Sequence, residues 1–78
     1  MSKPCVRIKL AEILKKRGMS QRELARITGI RHPSINEMCE NKTSRLPLEN
    51  LASICHVLDV GILDVLELTY DEIEEPRE

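Results

Sequence analysis

Tyr70 is the only aromatic residue in this 78-residue chain, which has no tryptophan and no phenylalanine. That excludes a base-stacking platform of the kind single-strand nucleic-acid binders require. No apolar run is long enough for a membrane helix, so no membrane partner is expected. Met1 to Leu10 mixes Lys3, Arg7 and Lys9 with apolar residues and does not read as a signal peptide. The three cysteines, Cys5, Cys39 and Cys55, are an odd number without C-x-x-C spacing. A disulfide framework is therefore not expected, and reduced thiols in a cytoplasmic protein are. Cys39, Cys55 and His56 could be drawn as a metal site, but adjacent Cys-His is poor ligand geometry on one helix, and core packing is the expected role. His56 has no nucleophile and orienting carboxylate to make a triad with. The expectation is a protein that is not an enzyme and carries no cofactor or metal. At this length there is room for one small core.

What is present is a series of short helical patterns separated by punctuation, without internal repeats. Leu10, Ile13 and Leu14 recur at helical spacing, and Lys15-Lys16-Arg17-Gly18 ends the run with basic residues and a stop. Ser20 and Glu23 form a capping box before a helix from Gln21 to about Thr28, with Leu24, Ala25 and Ile27 expected inward. Gly29 ends it. Pro33 suits the first turn of a third helix, which runs to about Glu40 with Ile35, Met38 and Cys39 on one face and Asn41 as a left-handed cap. Residues 42 to 47 form a loop. A fourth helix places Leu48, Leu51, Ala52, Cys55 and Leu58 on one face. Gly61 precedes a short fifth helix carrying Ile62, Leu63, Val65 and Leu66. Val6-Arg7-Ile8 alternates like a short strand, and Leu68-Thr69-Tyr70 is a possible partner. Residues 1–70 read as one domain and 71–78 as an acidic, flexible tail.

The formal net charge of −1 conceals a division. Residues 1–45 carry eleven basic and four acidic residues, a surplus of seven positive charges. Residues 46–78 carry Arg77 against nine acids, a surplus of eight negative charges. A basic first half behind which an acidic half follows is the layout of a DNA-binding face backed by a solvating or dimerising half.

Ser20 to Asn41, S-Q-R-E-L-A-R-I-T-G-I-R-H-P-S-I-N-E-M-C-E-N, is two short helices about a glycine turn, a helix-turn-helix layout. Gln21, Leu24, Ala25, Gly29, Ile35 and Met38 in this register closely resemble the Cro and phage-repressor (XRE) family, and Leu48 to Val60 is similar to its fourth-helix segment. The resemblance spans about Val6 to Leu68. It implies an all-α, compact bundle of about five short helices, possibly with a short N-terminal strand. It also implies a transcription regulator, a bacterial or phage-type repressor, that inserts its third helix into the major groove of double-stranded DNA.

The positions matching base-reading residues are His32, Pro33, Asn36 and Glu37, with Arg31 at their edge. Asn36 can read adenine with two hydrogen bonds, and Glu37 can accept from cytosine N4. Gln21, Arg22, Ser34, Lys42, Thr43, Ser44 and Arg45 match backbone contacts. Arg22 reads equally as part of a solvated face with Glu23 and Arg26, and His32 as an exposed helix start. A homodimer on a palindrome is implied, with the dimer surface expected among the apolar residues from Ile62 to Ile73. A protein-interaction module, such as an antitoxin with a protein partner, is the alternative on the same fold. Several positions depart from the family pattern, Pro33 among them, where a side chain that could hydrogen-bond a base is replaced. The family's Glu-x-Gly at the end of the third helix is Cys39 and Asn41 here, and the first-helix basic partner of that glutamate is Leu14, an exchange of an ion pair for packing.

Overall fold

The punctuation resolves into seven elements: β1 (Ser2–Ile8), α1 (Leu10–Arg17), α2 (Gln21–Thr28), α3 (His32–Cys39), α4 (Leu48–Leu58), α5 (Ile62–Val65) and β2 (Leu66–Glu72). The computed structural model describes the backbone of residues 2–72 and the side chains of residues 3–70. Residues 73–78, most of the expected tail, lie outside the described residues, and the boundary drawn after residue 70 falls inside β2.

Helix ends follow the local chemistry. Gly18 adopts a left-handed φ of 67°, and Met19 N–H donates to Leu14 O at 3.0 Å, closing α1. Ser20 caps α2 by accepting from Glu23 N–H at 3.0 Å. The reciprocal half of the expected box is replaced, because the Glu23 carboxylate pairs with Arg26 at 2.9 Å. Gly29, at φ 78°, ends α2 with its N–H on Ala25 O. Pro33 lies in the first turn of α3, where no helical partner for its missing N–H is needed. Asn41 takes φ 57°, as expected of a left-handed cap, and Lys42 N–H returns to Glu37 O at 2.9 Å.

One core joins the elements. Ile8, Leu10, Leu14, Leu24, Ile30, Ile35, Met38, Leu51, Ile54, Leu58 and Val65 are buried in a single cluster, with Ala25, Cys39 and Cys55 packed against it. Each fully buried Leu or Ile contributes about 1.5–3 kcal/mol of transfer free energy. Leu14 is buried and Cys39 rests on the same core, so both departures from the family's ion pair serve packing.

Several inward expectations fail. Ile27 is 44% exposed, because the buried stripe of α2 centres on Leu24 and takes in Gln21, Ala25 and Thr28. Leu48 is 80% exposed and Ala52 is also exposed. The face of α4 is instead Leu51, Ile54, Cys55 and Leu58, rotated toward Ile54 by packing against α2 and α5. Seven of the eleven residues of α4 are apolar, so spacing alone is compatible with either stripe. In α5 only Val65 is buried, and Ile62 and Leu63 face out.

The expected strand pairing is present and longer than its sequence pattern suggested. β1 and β2 are antiparallel, with Val6 opposite Leu68 and Ile8 opposite Leu66. Their base is anchored twice. Lys9 N–H donates to Val65 O at 2.7 Å. The Asn41 carboxamide accepts from Ile8 N–H at 2.6 Å and donates to Ile8 O at 3.0 Å. The residue that replaces the family's glycine therefore meets a left-handed backbone requirement and also pins the strand to the end of α3.

Candidate nucleic-acid interface

The surface around α3 is built from three segments. His32, Pro33, Asn36 and Glu37 share one face by their i, i+4 spacing, with Arg31 immediately before the helix. Arg31, His32, Pro33 and Glu37 are exposed, while Ser34 and Asn36 are half-buried. The first turn of α2 supplies Gln21, half-buried, and Arg22, exposed. Its first-turn N–H groups and the positive end of its dipole favour an anion.

Gln21 and Asn36 meet across the turn. Asn36 Nδ2 donates to Gln21 Oε1 at 3.2 Å. That contact sets the carboxamide plane of Asn36 and leaves its Oδ1 and second N–H for the two-bond pattern that adenine offers. Sequence reading assigned the two residues separate tasks; their contact makes them one unit. The turn that sets this geometry is braced by Thr28, whose hydroxyl donates to Leu24 O at 2.7 Å and accepts from Ile30 N–H at 3.2 Å.

The third segment begins under the last turn of α3, where Lys42 N–H is bonded to Glu37 O. Lys42 and Glu40 pair at 3.2 Å, both well exposed. Thr43 is half-buried and its hydroxyl donates to Arg45 O at 3.0 Å, which shapes the loop. Ser44 and Arg45 are exposed. Thr43 to Leu46 also line one side of an apolar groove of about 310 Å³, whose other wall includes Val6, Ile8 and Leu66 of the strands.

The acids of the basic half are mostly engaged. Glu12 pairs with Arg7 at 2.7 Å, Glu23 with Arg26 and Glu40 with Lys42. These surface pairs contribute at most about 1 kcal/mol each to stability. They matter more for the field, because they leave Glu37 as the acid of this half outside an ion pair among the described residues, on the exposed face of α3.

Two of the thiols are held toward the protonated form. Burial, and then the Glu40 charge, pushes the pKa of Cys39 above the ordinary thiol value. Burial, and then Asp64, does the same for Cys55. A protonated thiol is neither a nucleophile nor a strong metal ligand at neutral pH. Among the described residues no three of the histidine, cysteine and acidic side chains gather as a metal site, and no helix is long and apolar enough to cross a membrane.

A family model for the Cro/C1-type helix-turn-helix DNA-binding domain matches residues 9–71. The chain belongs to this family. The family resemblance drawn from Gln21, Leu24, Ala25, Gly29, Ile35 and Met38 is thereby established. The fold is also that of a solved structure described as the transcriptional regulator VanUg. The two share 24% identity over 88% of this chain and 91% of that one, with a TM-score of 0.71. No curated protein sequence matches the chain. This Cro/C1-type domain is a bundle of five helices with a two-stranded sheet formed by its ends. β1 lies outside the matched range.

Asn41 is the residue of this region that sequence reading undervalued. Its left-handed conformation was legible, because asparagine is the residue after glycine that tolerates it. Its bonds to Ile8 were not, because they join positions 33 residues apart.

Proposed function

We propose that this chain is a sequence-specific transcriptional regulator that inserts α3 into the major groove of double-stranded DNA and acts as a dimer on a palindromic operator. The observation that carries the reading is the solvent-facing start of α3, with Asn36 held by Gln21, on the basic half of the chain. Arg31, His32, Pro33, Asn36 and Glu37 face the base edges. Asn36 reads adenine, Glu37 accepts from cytosine N4, and Pro33 contacts shape or a thymine methyl. Gln21, Arg22, Ser34, Lys42, Thr43, Ser44 and Arg45 hold the phosphate backbone, which fixes register without reading sequence. In a dimer the two recognition helices lie about 34 Å apart, one turn of the duplex. The acidic second half limits affinity by repelling phosphate at long range.

Selection of bound duplexes from a random pool, followed by titration at two salt concentrations, tests the reading. A palindromic motif and a fall in affinity with salt are expected. No enriched motif together with no salt dependence overturns it.

A further inference from the structure

The β1–β2 ribbon is amphipathic in a way that its own fold does not use. In antiparallel pairing, residues directly opposite share a face. Pro4 with Tyr70, Val6 with Leu68 and Ile8 with Leu66 therefore form one apolar face. Cys5 with Thr69 and Arg7 with Glu67 lie on the other, where Arg7 approaches Glu67 at 3.5 Å. Only the base of the apolar face is covered, since Ile8 is buried and Leu66 packs against the core. Further out, Val6 is 59%, Leu68 61% and Tyr70 61% exposed. A two-stranded ribbon with an open apolar face is marginal in water by itself. At its base the face runs into the 310 Å³ groove, which Val6, Ile8 and Leu66 share with Leu46, Leu48 and Leu51 and with Thr43, Ser44 and Arg45 of the loop proposed above to hold phosphate.

We propose that this face and the groove at its base form the surface on which a second copy of the chain docks, face to face. The inference rests on the dimeric reading above and locates its interface. The distribution of charge selects another copy of this chain. The exposed middle of the face, Pro4, Val6, Leu68 and Tyr70, contains no acidic or basic residue, so these stretches of two copies meet without like-charge repulsion. The basic surface around α3 meeting itself has no such freedom. Along that stretch a partner chosen by charge finds nothing to pair with, and Arg45 is the charged residue on the groove wall.

The strand edges are poorly suited to the other symmetric arrangement, sheet extension. β1 contains Pro4 and Lys3, a residue without an N–H and a charged one, which blunt an edge. Pairing β2 with another β2 sets the acidic sequence L-E-L-T-Y-D-E beside itself.

Size decides how much of the surface is used. Two seven-residue strands present a footprint of about 230 Å². A stable pair buries about 800 Å² per partner. The ribbon alone is too small, so the groove and the neighbouring Leu48 must take part. Leu48 then has a reason to stand 80% exposed at the start of α4. In a two-fold contact of this kind each copy offers the same patch, the outer ribbon of one lying over the groove of the other.

Sedimentation equilibrium across micromolar concentrations, with circular dichroism as the fold control, tests the proposal on four proteins. The wild type is expected to dimerise. Leu68→Glu and Leu48→Lys are each expected to weaken the dimer at least tenfold while keeping helix content and half-site DNA binding. Leu63→Lys, on exposed α5, is expected to leave the dimer intact. If Leu68→Glu fails to fold, Leu48→Lys decides, because its side chain is on the helix surface. A wild-type dimer indifferent to Leu68→Glu and Leu48→Lys overturns this interface and leaves the dimeric reading standing. Loss of the dimer through Leu63→Lys alone moves the interface to α5 and overturns it as well. A wild type that stays monomeric at hundreds of micromolar defeats both. DNA selection on that monomer still reports separately on the recognition helix.

Discussion

In the helical bundle, α1 to α4 turn Leu14, Leu24, Ile35 and Ile54 into a single core, and no polar or charged residue is buried with them. In the ribbon the balance is reversed: beyond Ile8 and Leu66 the apolar residues of both strands stand in solvent. Both regions have good local patterning, period 3.6 in one and period 2 in the other. They differ in whether the chain supplies its own cover. A helix needs a stripe of neighbours, and five short helices provide these for one another. A ribbon of two strands has no second layer, so its apolar face is completed from outside or left open. The same division separates the tasks. The residues proposed to read DNA sit on the self-sufficient part, and the incomplete part is where association is proposed.

The comparison is broken most directly by truncating one side chain in each region. Leu24→Ala should cost about 2–5 kcal/mol in chemical denaturation, since it empties a fully buried site. Leu68→Ala, measured where the chain is monomeric, should change stability by no more than about 0.5 kcal/mol. Equal losses at the two positions would erase the distinction.

On the recognition side, Asn36→Ala should relax specificity at one base pair by about 1–3 kcal/mol. Gln21→Ala should weaken binding to all sequences alike and add some loss at that same base pair, because it frees the Asn36 carboxamide. A double-mutant cycle on DNA affinity should show coupling of about 0.5 kcal/mol or more. Exchange of the two single-variant effects would mean that α3 is docked wrongly.

Asn41 joins the two regions, so its replacement sharpens the contrast. Asn41→Ala removes two hydrogen bonds to Ile8 and strains a left-handed residue, at an expected cost of about 1–3 kcal/mol. Asn41→Gly keeps the backbone and should cost less. In both, amide exchange at Ile8 should rise while that of α2 holds. Exchange rising equally in α2 would show that ribbon and bundle open as one unit.

Smaller effects are expected at the cap and the surface pair. Ser20→Ala should lower stability by about 1 kcal/mol, read as a shift in the denaturation midpoint. Arg26→Ala, which breaks the exposed pair with Glu23, should cost about 0.5 kcal/mol or less and fade with salt.

Much of the bundle was legible because its signals are local. Ser20, Gly18, Gly29, Pro33 and Asn41 mark helix ends through bonds made within a few residues, and all five appear at the expected places. The inward face of α4 was not legible, since a helix with apolar residues nearly all round admits more than one stripe. The stripe through Leu48 and the stripe through Ile54 fit the spacing equally, and packing buries Ile54 and exposes Leu48. Ile27 failed similarly: its spacing from Leu24 allows burial, but α2 lies with its other flank on the core. The glutamine and asparagine of the candidate site were each visible as residue types suited to phosphate and base. Their mutual bond spans 15 positions and required the turn angle to be known.

The order of residues by itself determined where α1, α2 and α3 end and where α2 and α3 begin, the helix-turn-helix register from Ser20 to Asn41, and the separation of a basic half from an acidic one. These follow from φ preferences, capping and charge, which act over one or two turns of chain. Tertiary structure alone decided which side of α2 and α4 is inside and that Asn41 holds Ile8. It alone set the β1–β2 register that gathers Pro4, Val6, Leu68 and Tyr70 on one open face. Those outcomes depend on contacts between segments dozens of residues apart, where the fit of all the elements together, and no single local preference, sets the lowest free energy.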